Sequence, residues 1–140
     1  IATGTGLAPY MSMIRTLATT EGFDRTYVVI HGANHSWDLG YRSELETLAR
    51  VSKHLHYYPI VSLVDEEPTP WTGRAGFIND FWQEGRLASD LGVSFTPSNT
   101  NIFLCGNPLM IEAMLAVLAA AGYREDTKAS PGQVHLEKYW

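Results

Sequence analysis

The chain has 140 residues, 45% of them hydrophobic, and a formal net charge of -5, which is enough apolar side chain for one compact unit with a core and excludes a disordered tail. Lysine and arginine are scattered without a basic run, so nothing favours sequence-independent binding to nucleic acid, and no apolar stretch approaches the ~20 residues that span a bilayer. No basic segment leads an apolar one at the N-terminus as a signal peptide would, and Cys105 is the one cysteine, so a soluble, cytoplasmic protein without an internal disulfide is expected.

In chain order, Ile1-Ala2-Thr3 reaches a glycine turn at once. A phosphate-binding turn ordinarily follows a full strand, so a truncated first strand is expected. Tyr10 to Thr19 is predicted as a helix beginning just after Pro9. Tyr27-Val28-Val29-Ile30 is a β-branched run ended by His31-Gly32-Ala33-Asn34, and Asp38 to Lys53 carries Leu39, Leu45, Leu48 and Val51 at helical spacing. Ile60 to Val64 is a second strand run, ended by acids and prolines. Phe77 to Gln83 is predicted as a shorter helix. Ile102-Phe103-Leu104-Cys105 is a third strand run closed by Gly106-Asn107-Pro108, followed by a helix from Leu109 to Ala121 that stops at Gly122, and Val134 to Tyr139 is a last strand. Strands alternating with helices imply right-handed crossovers. The predicted fold is α/β, doubly wound, with a mainly parallel five-stranded sheet covered by helices on both faces. No repeat, low-complexity tract or linker divides residues 1–140.

Ligands in such a sheet bind outside the carboxyl ends of the strands, where strand order reverses. Gly4-Thr5-Gly6-Leu7-Ala8-Pro9 stands at such an end. Its glycines let a diphosphate approach the backbone, and the following helix offers free amide donors and a positive dipole end. The same residues also suit an ordinary glycine turn entering a helix, because the last glycine of the GxGxxG pattern is replaced by Pro9. At the end of the second strand, His31-Gly32-Ala33-Asn34-His35 has no carboxylate before Asp38, so a 2'-phosphate would meet no repulsion there; a plain turn is the other reading. Arg74, in Trp71-Thr72-Gly73-Arg74, and Arg42 could each fork onto a phosphate or simply be solvated. Cys105 is either a small buried residue or, beside the Gly106-Asn107-Pro108 turn, the opposite wall of a crevice shared with Thr5. His54 and His56 alternate on a strand face but fall short of the three or four ligands a metal needs. No nucleophile elbow or HExxH helix is present.

The ordered set of motifs resembles the NADP-binding domain of ferredoxin-NADP reductases, in particular the bacterial flavodoxin/ferredoxin type. It is carried by Ala2-Thr3-Gly4-Thr5-Gly6-Leu7-Ala8-Pro9-Tyr10, His31-Gly32-Ala33, Asp38-Leu39-Gly40-Tyr41-Arg42, Thr72-Gly73-Arg74, Cys105-Gly106-Asn107-Pro108-Leu109-Met110 and His135-Leu136-Glu137-Lys138-Tyr139-Trp140. The resemblance implies that the glycine loop seats the NADP diphosphate, that Thr5 and Cys105 flank the meeting place of nicotinamide and flavin, and that Tyr139 and Trp140 pack on FAD. It further implies hydride transfer between nicotinamide and flavin, ferredoxin or flavodoxin as partner, and an FAD-binding domain preceding this chain. Members of the family often carry arginine where Asn34 stands and a Ser-Arg pair where this chain has Ser62-Leu63. Arg74 matches the family's later arginine and Arg42 could add a second charge, so NADP is expected over NAD with weaker discrimination than a full arginine clamp gives. An NADH-dependent reductase component of an oxygenase and a nucleotide-sensing module without electron transfer are the alternatives.

Overall fold

The computed structural model describes residues 1–20 and 22–137. Its strands are β1 (Ala2–Thr3), β2 (Tyr27–Ala33), β3 (Leu55–Val61), β4 (Arg74–Ala75), β5 (Ile102–Cys105) and β6 (Val134–Glu137). Its helices are α1 (Ala8–Thr19), α2 (Arg42–Val51), α3 (Ile78–Gln83), α4 (Arg86–Leu91) and α5 (Pro108–Ala120). The strands form one sheet in the order β4-β3-β2-β1-β5-β6, with every neighbouring pair parallel. From β1 the chain winds outward through β2 to β4, then returns to the other side of β1 for β5 and β6. The direction of winding therefore reverses between β1 and β5.

Among the described residues six strands stand where five are expected. The additional one is β4, whose two residues pair with Ile60 and Val61, too short a segment to leave a period in the sequence. β3 begins at Leu55, five residues before the predicted run, because Leu55 and Tyr58 are fully buried and pull the polar-looking stretch into the sheet. β4 covers only the last two positions of β3, so Pro59 sits where that edge is bare and its missing N–H costs no ladder bond there. The predicted helix from Asp38 starts instead at Arg42: Ser36–Asp38 is a 3-10 turn, Leu39 turns into the core and Tyr41 adopts a left-handed φ of 57°. Arg86–Leu91 forms a helix that no pattern in the sequence announced.

Apolar side chains pack on both faces of the sheet. Under α1 and α2 lie Leu7, Met11, Ile14, Val29, Leu45 and Leu55. Under α3 and α5 lie Ile30, Tyr58, Phe81, Leu104, Met114 and Leu118. α5 takes Pro108 at its first position, is capped by Asn107 and stops before Gly122 at φ 86°, the arrangement its terminal residues favour. Among the described residues no helix is long and apolar enough to cross a membrane.

Candidate functional site

The reversal between β1 and β5 brings together the two turns that leave these strands. Gly4 takes φ 54° with nothing among the described residues within 4 Å of the position its Cβ would occupy, and it is exposed. The chain then makes a 3-10 turn over Gly4–Leu7 and enters α1 with no side chain capping either helix start. Gly6 has a different task. A Cβ there would strike the Cys105 carbonyl oxygen and lie 2.6 Å from the Gly106 nitrogen, so its hydrogen is what lets the two turns nest.

The second turn reciprocates. Gly106, at φ 135°, lies so close to Thr3 that a Cβ would come 2.6 Å from the Thr3 carbonyl oxygen and 2.8 Å from its nitrogen. The Thr3 hydroxyl accepts the Asn107 backbone N–H at 2.8 Å, and Asn107 Oδ1 in turn accepts the Leu109 N–H at 2.8 Å as the cap of α5. Two helix N-termini therefore begin side by side, their dipoles converging on one crevice. Thr3, whose hydroxyl joins the turns, was not among the residues expected from sequence; its signal was its place between a strand and a glycine.

Thr5, Gly4, Ala8, Asn107 and Pro108 are exposed around this crevice, and Pro9 and Gly106 are half-buried. Cys105 is 0% exposed, and burial pushes its thiol above the usual range, with Glu137 adding in the same direction. It is thus a neutral thiol at neutral pH. Met110 is half-buried and packs against the core under α3 and α5. Tyr139 and Trp140 lie outside the described residues.

A second group of expected residues gathers at the carboxyl ends of β2 and β3. Ser62 Oγ donates to Asn34 Oδ1 at 3.3 Å, and the Leu63 N–H donates to the Asn34 carbonyl at 2.9 Å, so the loops after the two strands are joined. Next to them His35 stacks on Trp37 with ring centroids 4.3 Å apart and lies between Asp38 Oδ2 at 3.3 Å and Glu66 Oε2 at 3.0 Å. Glu66 is the main cause of a His35 pKa above the ordinary value, opposed by partial burial and helped by Asp38. Glu67 accepts from both the backbone and the hydroxyl of Ser36, at 2.6 and 2.7 Å. This rim is therefore richer in carboxylate than the run from His31 to His35 implies, because Glu66 and Glu67 arrive from the loop after β3.

The two candidate arginines are both engaged. Arg42 Nε donates to Glu46 at 2.7 Å and its guanidinium lies 5.0 Å from the Trp71 ring centroid. Arg74 Nε donates to Asp90 Oδ2 at 3.2 Å. Trp71 Nε1 donates to the Arg74 carbonyl at 2.9 Å, linking the two neighbourhoods. Among the described residues no group of three or more His, Cys, Asp or Glu side chains could hold a metal ion.

The space at Gly4 that is open among the described residues, the two helix N-termini and the nested turns fit a dinucleotide diphosphate. Fewer amides are free than the sequence implies, because the Ala8 N–H donates to the Thr5 carbonyl and Pro9 has none. Residues 1–115 match the sequence profile of the oxidoreductase NAD-binding domain. The chain is 34% identical to ferredoxin–NADP reductase A of Sorangium cellulosum, across 99% of this chain and 50% of that protein. It is 32% identical to the electron transfer component of anthranilate 1,2-dioxygenase of Acinetobacter baylyi, across 81% of this chain and 30% of that one. Among solved structures it is similar to a ferredoxin NADP+ reductase from Neisseria gonorrhoeae with bound FAD and NADP, at a TM-score of 0.82 and 25% identity, covering 97% of this chain and 53% of that one. The chain spans about half the length of the reductases it matches.

Proposed function

The chain belongs to the oxidoreductase NAD-binding domain family, and from that premise we propose that it is the dinucleotide-binding half of a flavin-dependent ferredoxin- or flavodoxin-NADP reductase working in the cytoplasm. The observation that carries this reading is the nesting of the Gly4–Leu7 turn against Gly106, with two helix N-termini at the point where the sheet reverses. FAD is held mainly by the other half of such a protein. When both are bound, nicotinamide and flavin supply the redox chemistry, a hydride passed between nicotinamide C4 and flavin N5.

The residues of this chain bind, orient and exclude water. The exposed backbone at Gly4 and Thr5, the turn through Gly6, Leu7, Ala8 and Pro9 that carries it, and the dipole of α1 would hold the diphosphate. Thr5, which is exposed, would line the nicotinamide site. Cys105, a neutral thiol, acts as a wall of the pocket and not as a nucleophile, with Gly106, Asn107, Pro108 and Met110 continuing that wall. Asn34, Ser62, Arg42 and Arg74 would hold the adenosine phosphate. The intact protein should give a higher kcat/KM with NADPH than with NADH, and Arg74→Ala should shrink that preference; equal rates with the two coenzymes would sink the NADP reading. The 140-residue chain alone should bind dinucleotide at most and show no stoichiometric flavin absorbance.

A second reading is favoured by one observation. Asn34 and Leu63 supply no positive charge, and Glu66 and Glu67 stand beside them, a rim that would suit a ribose diol better than a 2'-phosphate. An NADH-dependent reductase that passes electrons to an oxygenase would show it. The same comparison of coenzymes separates the two.

A further inference from the structure

Arg74 is held by residues that neither the glycine motif nor the coenzyme rim includes. Its Nε donates to Asp90 Oδ2 at 3.2 Å, and its Cζ lies 3.7 Å from the centroid of the Tyr58 ring. The Tyr58 hydroxyl donates to the same Asp90 oxygen at 2.6 Å. The three side chains come from β4, α4 and β3 and form a closed triangle. Tyr58 is fully buried and meets Phe81 edge-on at 5.8 Å, so its ring is a fixed platform. The Arg74 side chain is 36% exposed, and its contact with the Asp90 carboxylate is through Nε. Arg74 lines a cleft of about 500 Å³ with Glu46, Arg50 and Tyr57; in β4 its backbone pairs with Ile60, one residue before β3 ends, and its guanidinium lies over Tyr58, two residues earlier in β3.

We propose that Asp90 and Tyr58 are positioning residues: they fix the Arg74 guanidinium by its Nε and one face, leaving its two terminal nitrogens to fork onto the 2'-phosphate of the coenzyme and so set the choice between phosphorylated and unphosphorylated dinucleotide. The inference rests on the NADP reading. A free arginine loses rotamer freedom when it fixes a phosphate, whereas one already stacked and tethered has less to lose. Asp90 also lowers the positive potential at Arg74, an opposing effect. Its side chain is 40% exposed, so solvent and salt screen that effect, and the gain in orientation outweighs it. The triangle also makes up for the charges missing at Asn34 and Leu63: one arginine held in place does the work of a looser cluster.

Calorimetric titration of the intact protein with 2',5'-ADP and with 5'-AMP at fixed salt tests this. Asp90→Ala should weaken 2',5'-ADP about fivefold more than it weakens 5'-AMP. Tyr58→Phe keeps the platform and loses only the hydroxyl, so it should give a smaller shift in the same direction. The differential between the two ligands is what a merely structural role would not produce, and Tyr58→Phe with Asp90→Asn carries the test should Asp90→Ala not fold. Unchanged or tighter 2',5'-ADP binding in these variants, with Arg74→Ala still weakening it selectively, would overturn the positioning role while leaving the NADP reading intact. Equal loss of both ligands in Arg74→Ala would overturn the reading itself.

Discussion

Thr3 and Asn107 stand 104 positions apart, yet the Thr3 hydroxyl oxygen accepts the Asn107 backbone N–H at 2.8 Å. β1 contributes only Ala2 and Thr3 to the sheet, so this bond and the pairing of Ala2 with Cys105 are what align the two turns. Thr3→Val keeps the shape of the side chain and removes the acceptor. It should destabilise the fold by about 1 kcal/mol, the usual net value of such a bond, and should also weaken dinucleotide binding by loosening the crevice. Urea unfolding and a coenzyme titration check the two effects, and Thr3→Ser should restore both.

The two glycines of the first turn should fail in different ways when replaced. Gly6→Ala drives a methyl into the backbone of Cys105 and Gly106, atoms that cannot swing aside, so a loss of about 1–3 kcal/mol is expected from overpacking. Gly4→Ala meets open space but must hold φ 54°, at a cost of about 1 kcal/mol. Thermal melts should therefore place Gly6→Ala below Gly4→Ala. Gly4→Asn, a residue tolerant of that conformation, should recover part of the loss.

The alternating strands and helices, the reversal point and the position of the glycine turn were legible in the sequence because each is written in a local pattern: β-branched runs, helical spacing, Pro9 at a helix start. What escaped depended on contacts between distant segments. Nothing within Arg74-Ala75 marks a strand until β3 lies beside it. Nothing local marks Tyr58 as buried until Phe81 meets its ring, and Asp90 reaches Arg74 only once α4 is set against β4. The rim after β2 read as free of carboxylates because Glu66 and Glu67 lie some thirty positions further on, about the length of a strand-helix-strand unit, and only the parallel pairing of β2 with β3 brings them there.

His35 offers a direct probe of that rim. With Glu66 and Asp38 on its two ring nitrogens, it should titrate above the ordinary histidine range, as its raised pKa indicates. A raised folded pKa means that the contribution of His35 to stability is complete below the unfolded value and fades as pH rises through the folded one. NMR titration of the His35 ring should show the raised midpoint, and Glu66→Gln, which removes the largest cause, should bring it down. An unchanged midpoint in that variant would show that the Glu66 contact is not made in solution.

His31 should behave in the opposite sense. It is fully buried in β2, its Nδ1 shares a hydrogen bond with the Tyr57 hydroxyl at 3.1 Å, and its Nε2 has no partner among the described residues. Burial is the main cause that lowers its pKa from 6.5 to about 4, so the ring is neutral in the fold at neutral pH. Between those two values the unfolded chain binds a proton that the folded chain refuses, and stability must fall as the solution is acidified from pH 6.5 towards 4. Across that window the loss amounts to roughly 3 kcal/mol, a large share of a domain's net stability. Replacing His31 with Gln keeps a polar partner for Tyr57 and removes the titration. Urea midpoints measured across the window should then fall less steeply with acid in His31→Gln than in the unmodified chain; parallel slopes in the two proteins would show that His31 is not the group responsible.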